Sequence, residues 1–284
     1  MEADAMLKLM YITNRPEIAQ IAETAGVDRI FVDMEFIGKD ERQKGLDTVK
    51  SHHTIYDIAA IKDAVETAKV LARVNPIHDA LPDFMSSEDE IDKSIKAGAD
   101  ILMLPYFKSI DEVRRFLTIV DGRVKTMLLL ETPEAVACVD EILELPGINE
   151  IHIGINDLSI GMGKKFMFEL LADGTVENLC FKFRQKGIPY GFGGIASIGN
   201  GMLPSEYIIK EHYRLGSSFV ILSRSFCDVT KVHHIGIINN TFLNGVSRIR
   251  ALERECEPHA RYFIENELQI KDRVAQICRQ LYSE

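Results

Sequence analysis

The chain has 284 residues, of which 46% are hydrophobic and 27% are charged, a composition typical of globular proteins. Its formal net charge of −10 argues against non-specific binding to nucleic acid or to an anionic membrane surface. No apolar run approaches the ~20 residues that cross a bilayer. The five cysteines follow no disulfide or zinc spacing, and the N-terminus shows no secretory pattern. We therefore expect a cytoplasmic protein with reduced thiols.

Eight short apolar runs along the chain are predicted to be β-strands. They lie at residues 7–13, 29–35, 70–75, 101–107, 125–131, 150–157, 188–195 and 218–225. Most are apolar throughout rather than alternating, as expected of parallel strands covered on both faces. Amphipathic segments separate them, and Ser109 and Thr132 stand at expected helix N-caps, the second followed by Pro133.

This alternation predicts the α/β class and a (β/α)₈ TIM barrel, which typically needs about 250 residues. An open doubly wound sheet is the alternative, but no G-x-G-x-x-G loop follows the first strand. Residues 227–284 are predicted to be extra C-terminal helices, packed either on a neighbouring subunit or on their own barrel. Residues 1–284 are expected to form a single domain.

Polar residues end several of the predicted strands, which is where barrel enzymes place their active sites. Glu131 and Asp157 end strands five and six, so their carboxylates are expected to converge on Mg²⁺ or Mn²⁺, ions that take oxygen ligands. Arg73 on strand three would then neutralise a developing oxyanion. The alternative is that each acid only caps the helix that follows it.

Several motifs carry a family resemblance. In chain order they are "DRIFVDMEF", "LARVNP", "KAGADILMLPYFKSIDEV", "LLLETPEAV" and "GINEIHIGINDLSIGMG". Over roughly residues 7–226 the chain resembles the HpcH/HpaI aldolase and citrate lyase family, whose fold is similar to that of the phosphoenolpyruvate- and pyruvate-binding barrels. The resemblance implies a carbon–carbon lyase that uses Mg²⁺, Mn²⁺ or Co²⁺, a 2-oxo acid and an aldehyde. It also implies a homo-oligomer built from dimers, such as a hexamer.

The resemblance also implies site roles. Glu131 and Asp157 match the metal ligands, and Arg73 matches the arginine at the oxo or enolate oxygen. The backbone at Ile155, Asn156 and Asp157 matches the segment that receives the substrate carboxylate. Asp33 and Glu35 match the acids that orient metal-bound water and the neighbouring loop.

One position departs from the family pattern. A histidine usually follows the second acid of the strand-two motif, but here Phe36 does, and a phenyl ring cannot transfer a proton. Three alternatives are open. His52 or His53 from the charged loop at 38–54 replaces it, metal-bound hydroxide acts instead, or the chain binds a metal and an oxo acid without aldolase turnover. The two histidines are otherwise bystanders in a solvated loop.

The loops after strands seven and eight form the usual phosphate site of such barrels. Gly193, Gly194 and Arg224 are therefore candidates for binding a phosphate or a second carboxylate. The alternative for Arg224 is a structural ion pair. An anion site here would suit a sugar-derived or phosphorylated partner substrate, or a lyase or transferase acting on a ligand like phosphoenolpyruvate.

Overall fold

The computed structural model describes residues 6–39, 51–256 and 260–283. Its eight strands are parallel and form a closed barrel in chain order, with the last strand paired to the first. The strands are β1 Lys8–Ile12, β2 Arg29–Asp33, β3 Lys69–Arg73, β4 Ile101–Leu104, β5 Lys125–Leu130, β6 Glu150–Ile153, β7 Tyr190–Ile195 and β8 Phe219–Leu222. This confirms the predicted TIM barrel and excludes the open sheet.

Helices surround the barrel and extend beyond its last strand. The described part of the chain contains α1 Pro16–Thr24, α2 Ile55–Ala64, α3 Ser87–Lys96, α4 Ile110–Val120, α5 Pro133–Ala137, α6 Val139–Ile142, α7 Ile155–Gly161, α8 Glu169–Ala172, α9 Thr175–Gln185, α10 Ser205–Leu215, α11 Ile235–Glu255 and α12 Ala260–Ser283. None of these helices is long and apolar enough to span a bilayer. The extra C-terminal helices are confirmed, and α12 packs against α8 and α10 of its own chain.

The predicted ends of the sixth and eighth strands differ from those in the structure. The predicted strand at 150–157 stops at Ile153, and Gly154 and the following residues turn into α7. Asp157 therefore lies in the first turn of a helix and not at a strand end. Likewise β8 ends at Leu222, so Arg224 belongs to the turn that follows. Most of the charged loop predicted at 38–54 lies outside the described residues.

The helix caps follow the sequence closely. The Thr132 hydroxyl accepts a hydrogen bond from the Ala135 N–H at 3.1 Å, with Pro133 in the first turn. The Ser109 hydroxyl accepts one from the Glu112 N–H. Each cap satisfies an N–H group that has no partner inside the helix, and each fixes where a strand–helix loop ends.

The barrel interior is packed rather than hollow. Its centre is filled by a cluster of buried residues, namely Met10, Phe31, Leu71, Ile101, Met103, Met127, Leu129 and Phe219. A Cβ atom added at Gly191 would lie only 2.2 Å from the carbonyl oxygen of Phe219. Glycine is required there because β7 and β8 approach too closely for any side chain.

A buried ion pair crosses the barrel near its amino-terminal end. Arg29 Nη1 lies 2.6 Å from Glu150 Oε2, and Nη2 lies 2.8 Å from Oε1. The two residues begin β2 and β6, which are four strands apart and therefore face each other across an eight-stranded barrel. The guanidinium also lies 5.1 Å from the ring centre of Phe219. Removing one partner would leave an unpaired charge in the core.

We predict that Arg29→Met lowers the free energy of unfolding by about 3–5 kcal/mol, because Glu150 stays buried without its partner. Urea unfolding would measure the loss. The double variant Arg29→Met/Glu150→Leu should recover much of it. Lys182→Ala, which breaks the exposed pair with Asp140, is the control and should cost less than about 1 kcal/mol. Equal losses in Arg29→Met and Lys182→Ala would contradict this account.

A buried histidine on α10 links stability to pH. The His212 ring stacks on Phe192 with 3.8 Å between ring centres, and Nδ1 lies 2.8 Å from the Ser217 hydroxyl. Burial lowers the pKa of His212 well below its ordinary value. Nε2 has no hydrogen-bond partner within the described chain, so a second ring proton would be buried unpaired.

We predict that the free energy of unfolding falls as the pH drops below about 6.5, where the unfolded imidazole begins to bind a proton that the folded one excludes. This single group contributes a slope of up to about 1.4 kcal/mol per pH unit. His212→Asn should reduce the slope, and His233→Asn, at an exposed position, should not. Identical pH profiles for wild type and His212→Asn would refute the prediction.

Candidate active site

A cavity of about 510 Å³ opens at the carboxyl ends of the strands. Every residue that the sequence analysis placed in the site lines it, except Glu35 and His52. Its wall includes backbone at the start of α7, the glycines of β7 and charged side chains from β2, β3 and β5. The fold therefore brings together residues that are more than 100 positions apart in the chain.

An ion pair between neighbouring strands forms the inner wall of the cavity. The register of β2 and β3 places Asp33 beside Arg73. Arg73 Nε lies 2.7 Å from Asp33 Oδ1 and Nη2 lies 2.8 Å from Oδ2, while Nη1 lies 3.3 Å from Glu35 Oε2. Although burial favours the neutral acid, the charge and hydrogen bonds of Arg73 hold the pKa of Asp33 well below its usual range. The same carboxylates raise the pKa of Arg73 against the effect of its burial.

Glu131 directly follows β5, and its buried carboxylate has more negative than positive charge around it. Its Oε1 accepts a hydrogen bond from the Tyr106 N–H at 3.0 Å. Burial raises the pKa of Glu131 well above its usual value, the charges of Glu35 and Asp157 raise it further, and Arg73 opposes them. Excess negative charge at this point is the condition that a bound cation would relieve.

The donor set fits a hard divalent cation. Within residues 6–39, 51–256 and 260–283, no three His, Cys, Asp or Glu side chains are grouped to hold a metal ion. Glu131 and Asp157, whose charges interact, would be the protein ligands, with substrate or water oxygens completing the coordination. Ions such as Mg²⁺ are commonly bound through one or two carboxylates in this way.

Phe36, which replaces the family histidine, does not line the cavity. Its ring is 48% exposed and packs edge-on against Phe84 with 4.8 Å between centres. Its backbone N–H donates to Asn75 Oδ1 at 2.9 Å, which fixes the turn after β2. The Phe36 side chain therefore neither carries a transferable proton nor lines the cavity.

The two candidate histidines occupy different places. His53 lines the cavity, and its Nδ1 accepts a hydrogen bond from the Asp33 N–H at 2.9 Å. Burial lowers the pKa of His53. Because Nδ1 accepts a hydrogen bond, the ring carries its proton on Nε2. His52 is exposed and is not brought to the cavity wall.

Two further residues at the site were missed by sequence reasoning. Lys39 is 4% exposed, and its Nζ lies 3.3 Å from Asp33 Oδ2 and 3.6 Å from Glu35 Oε2. His152 lines the cavity and donates from Nε2 to the Gly193 carbonyl at 3.1 Å, and burial lowers its pKa to about 4. A lone histidine inside an apolar strand was its only signal.

The three residues predicted to form an anion site all line the cavity. Gly193 has φ +55°, and a Cβ atom there would lie 2.7 Å from the Ile155 side chain, so glycine is required for β7 to pass close to α7. Gly194 and Arg224 also line the cavity. Arg224 is exposed at the rim, whereas Arg73 lies deep in the wall.

Comparison with known proteins agrees with this fold. The family model for HpcH/HpaI aldolase/citrate lyase matches residues 8–169, more than half of the chain. No curated protein sequence is significantly similar. A solved HpcH/HpaI aldolase/citrate lyase family protein from Burkholderia cenocepacia J2315 superposes with a TM-score of 0.58 at 16% identity, covering 90% of this chain and 96% of that one.

Two further solved structures share the fold. The HpcH/HpaI aldolase from Desulfitobacterium hafniense DCB-2 has a TM-score of 0.56 at 17% identity, covering 76% of this chain and 86% of that one. The citrate synthase SbnG has a TM-score of 0.58 at 15% identity, covering 85% and 95%. At these identities the structural similarity establishes the barrel architecture alone.

We predict that Gly154→Ala weakens Mn²⁺ binding by about 10–100-fold, as is typical when the surroundings of a ligand are disturbed. The new Cβ atom would lie 2.7 Å from Glu131 Oε2 and 2.8 Å from Glu131 Cβ, which forces the carboxylate to move. Calorimetric titration would measure the affinity. Gly187→Ala, at a remote position with open space and φ +66°, should cost stability but leave Mn²⁺ affinity intact. Unchanged affinity in Gly154→Ala would show that Glu131 is not a ligand.

Proposed function

This chain belongs to the HpcH/HpaI aldolase/citrate lyase family, and from that premise we propose that it is a divalent-metal-dependent carbon–carbon lyase acting next to a 2-oxo acid. One observation carries the proposal. Six charged side chains interact with one another at the inner wall of the cavity, four carboxylates and two cations, and this group holds a net charge of −2 when all six are ionised. They are Asp33, Glu35, Lys39, Arg73, Glu131 and Asp157. A divalent ion balances that charge.

Glu131 and Asp157 would hold the metal, and the buried position of Glu131 favours binding because the cation relieves its unbalanced charge. When bound, Mg²⁺, Mn²⁺ or Co²⁺ supplies Lewis-acid polarisation of the keto oxygen of the substrate. The Asn156 side-chain amide donates to Asp157 Oδ1 at 3.2 Å, which orients that carboxylate toward a fixed position.

Arg73 would stabilise the charge that develops on the keto oxygen. Its contacts with Asp33 and Glu35 use three of five N–H groups, so the guanidinium is held rigidly and can still donate to a substrate. A donor that is already fixed needs no reorganisation as negative charge forms on the oxygen. The enolate that results is the intermediate common to bond cleavage and bond formation.

The start of α7 would bind the substrate carboxylate. The N–H groups of Ile155, Asn156 and Asp157 belong to the first turn of that helix, where backbone N–H groups lack partners inside the helix. They face the same cavity as Arg73. His53, whose Nε2 carries the ring proton, would add a neutral hydrogen-bond donor for the second substrate.

We further propose a direction of reaction and a class of partner substrate. A citrate synthase is among the structural neighbours, so bond formation between an enolate and a second carbonyl compound is a natural direction for this fold. The aldehyde or other carbonyl partner would occupy the side of the cavity near His53 and Arg224, where an anionic substituent would meet the guanidinium at the rim.

A second candidate function is supported by Phe36. Because its ring does not line the cavity, the second candidate is a barrel that binds a metal and an oxo acid without aldolase turnover. Calorimetry with pyruvate or oxalate separates the two functions. Metal-dependent binding with no exchange of pyruvate protons would favour the second candidate.

We predict that, in the presence of Mg²⁺, Mn²⁺ or Co²⁺, the protein promotes exchange of the methyl protons of pyruvate with D₂O. Proton NMR would measure this exchange. Glu131→Gln and Asp157→Asn should each abolish the exchange, because both remove a negative oxygen ligand. Glu134→Gln changes an exposed acid of the same loop and helix and should have no effect. Exchange that needs no metal, or that survives both substitutions, would refute the proposed function.

A further inference from the structure

Lys39 is a buried ammonium group in the wall of the cavity. Lysine is almost never fully buried unless it is paired, and here the side chain lies between the carboxylates of Asp33 and Glu35. A lysine ammonium has three N–H bonds, so its two contacts with described residues leave one N–H bond for a further partner. The residue lines the same cavity as Arg73 and Glu131.

The charges around Lys39 argue against a role in binding an anion. Asp33, Glu35, Lys39 and Arg73 form a group of two acids and two cations, joined by contacts of 2.7–3.6 Å. The positive charge of Lys39 is therefore already balanced by these acids, and it gives the cavity no excess positive charge. What it offers to the cavity is a charged N–H donor that is held in place.

Phe36 and the two loop histidines are poorly suited to transfer a proton. Phe36 has no proton to give, and its ring lies outside the cavity wall. The Nδ1 lone pair of His53 is occupied by the Asp33 N–H, so its Nε2–H can donate a hydrogen bond but cannot accept a proton. His52 is exposed and does not line the cavity.

We propose that Lys39 is the catalytic acid–base residue for the hydroxyl group of the carbon–carbon step, an inference that rests on the proposed function. In bond formation, the enolate carbon attacks the carbonyl carbon of the second substrate, and the C=O π electrons move to oxygen. That oxygen takes a proton from the Lys39 ammonium, and water later returns a proton to the amine. In cleavage, the neutral amine removes the hydroxyl proton, the C=O bond forms, and the broken carbon–carbon bond leaves its electrons in the enolate.

Two reactions that share the enolate separate this role from a structural one. Decarboxylation of oxaloacetate gives the pyruvate enolate without a hydroxyl proton, whereas cleavage of 4-hydroxy-2-oxopentanoate requires one to leave. In Lys39→Met, we expect cleavage to fall by about 10²–10⁴-fold in kcat/KM, the usual contribution of a positioned acid or base. Decarboxylation and exchange of pyruvate protons, which need no proton at this oxygen, should fall far less than cleavage does.

Two further variants complete the test. Lys39→Arg keeps the positive charge, but a guanidinium does not release its proton in proteins, so cleavage should remain low while the fold is preserved. Lys108→Met changes an exposed lysine that pairs with Glu134 and should leave all three reactions unchanged. Thermal unfolding of each variant checks that the barrel is intact.

Each of the other possible outcomes would overturn either the role of Lys39 or the proposed function. Full cleavage by Lys39→Arg would show that charge alone suffices and would overturn the proton transfer. Parallel loss of cleavage, decarboxylation and exchange in Lys39→Met would assign the residue a structural role. Wild-type exchange without cleavage of this substrate, and without condensation of pyruvate with acetaldehyde, glycolaldehyde or glyoxylate, would overturn the Lys39 assignment alone. Absence of both exchange and decarboxylation in the wild type would overturn the proposed function itself.

Discussion

The Asp33 carboxylate is the contact on which the rest of the site depends. It binds Arg73 through two hydrogen bonds and pairs with Lys39, while its own N–H donates to His53. The strand register that places Asp33 beside Arg73 therefore also fixes the positions of a lysine and a histidine from the following loop. Loss of this one carboxylate would leave two buried cations without their closest partner, and buried charges are tolerated only when they are paired.

The charges at the mouth divide into two groups with different tasks. The group around Asp33 is balanced, so its cations stay fixed as hydrogen-bond donors. Burial and the charges of Glu35 and Asp157 disfavour the ionised form of Glu131. Under the proposed function, a divalent cation would relieve this, and the held cations beside Asp33 would donate from the opposite side.

Much of the fold and most of the site could be predicted from sequence because they depend on local patterns. Apolar runs and helix caps locate the strands, and the carboxyl ends of parallel strands meet at one end of a barrel. Contacts between distant residues could not be predicted in this way. Arg29 and Glu150 are 121 positions apart, and only barrel closure shows that they meet. Lys39 was hidden for a different reason, since a charged loop is normally solvated and nothing local indicates that one of its lysines is buried.

The loop histidines show a further limit of prediction from the sequence. Sequence spacing brought His53 into consideration, but only the hydrogen bond from the Asp33 N–H shows which ring nitrogen is occupied. A tautomer is decided by one contact, and a residue type cannot reveal it. The same is true of Phe36, whose identity could be read from the sequence but whose direction could not.

The ion pair between Arg29 and Glu150 has a mechanical consequence. It connects β2 and β6 at the end of the barrel opposite the cavity, and these are the strands that lead to Asp33 and to Asp157. The pair therefore links β2 and β6 at their first residues, directly beneath the two sides of the cavity that carry Asp33 and Asp157.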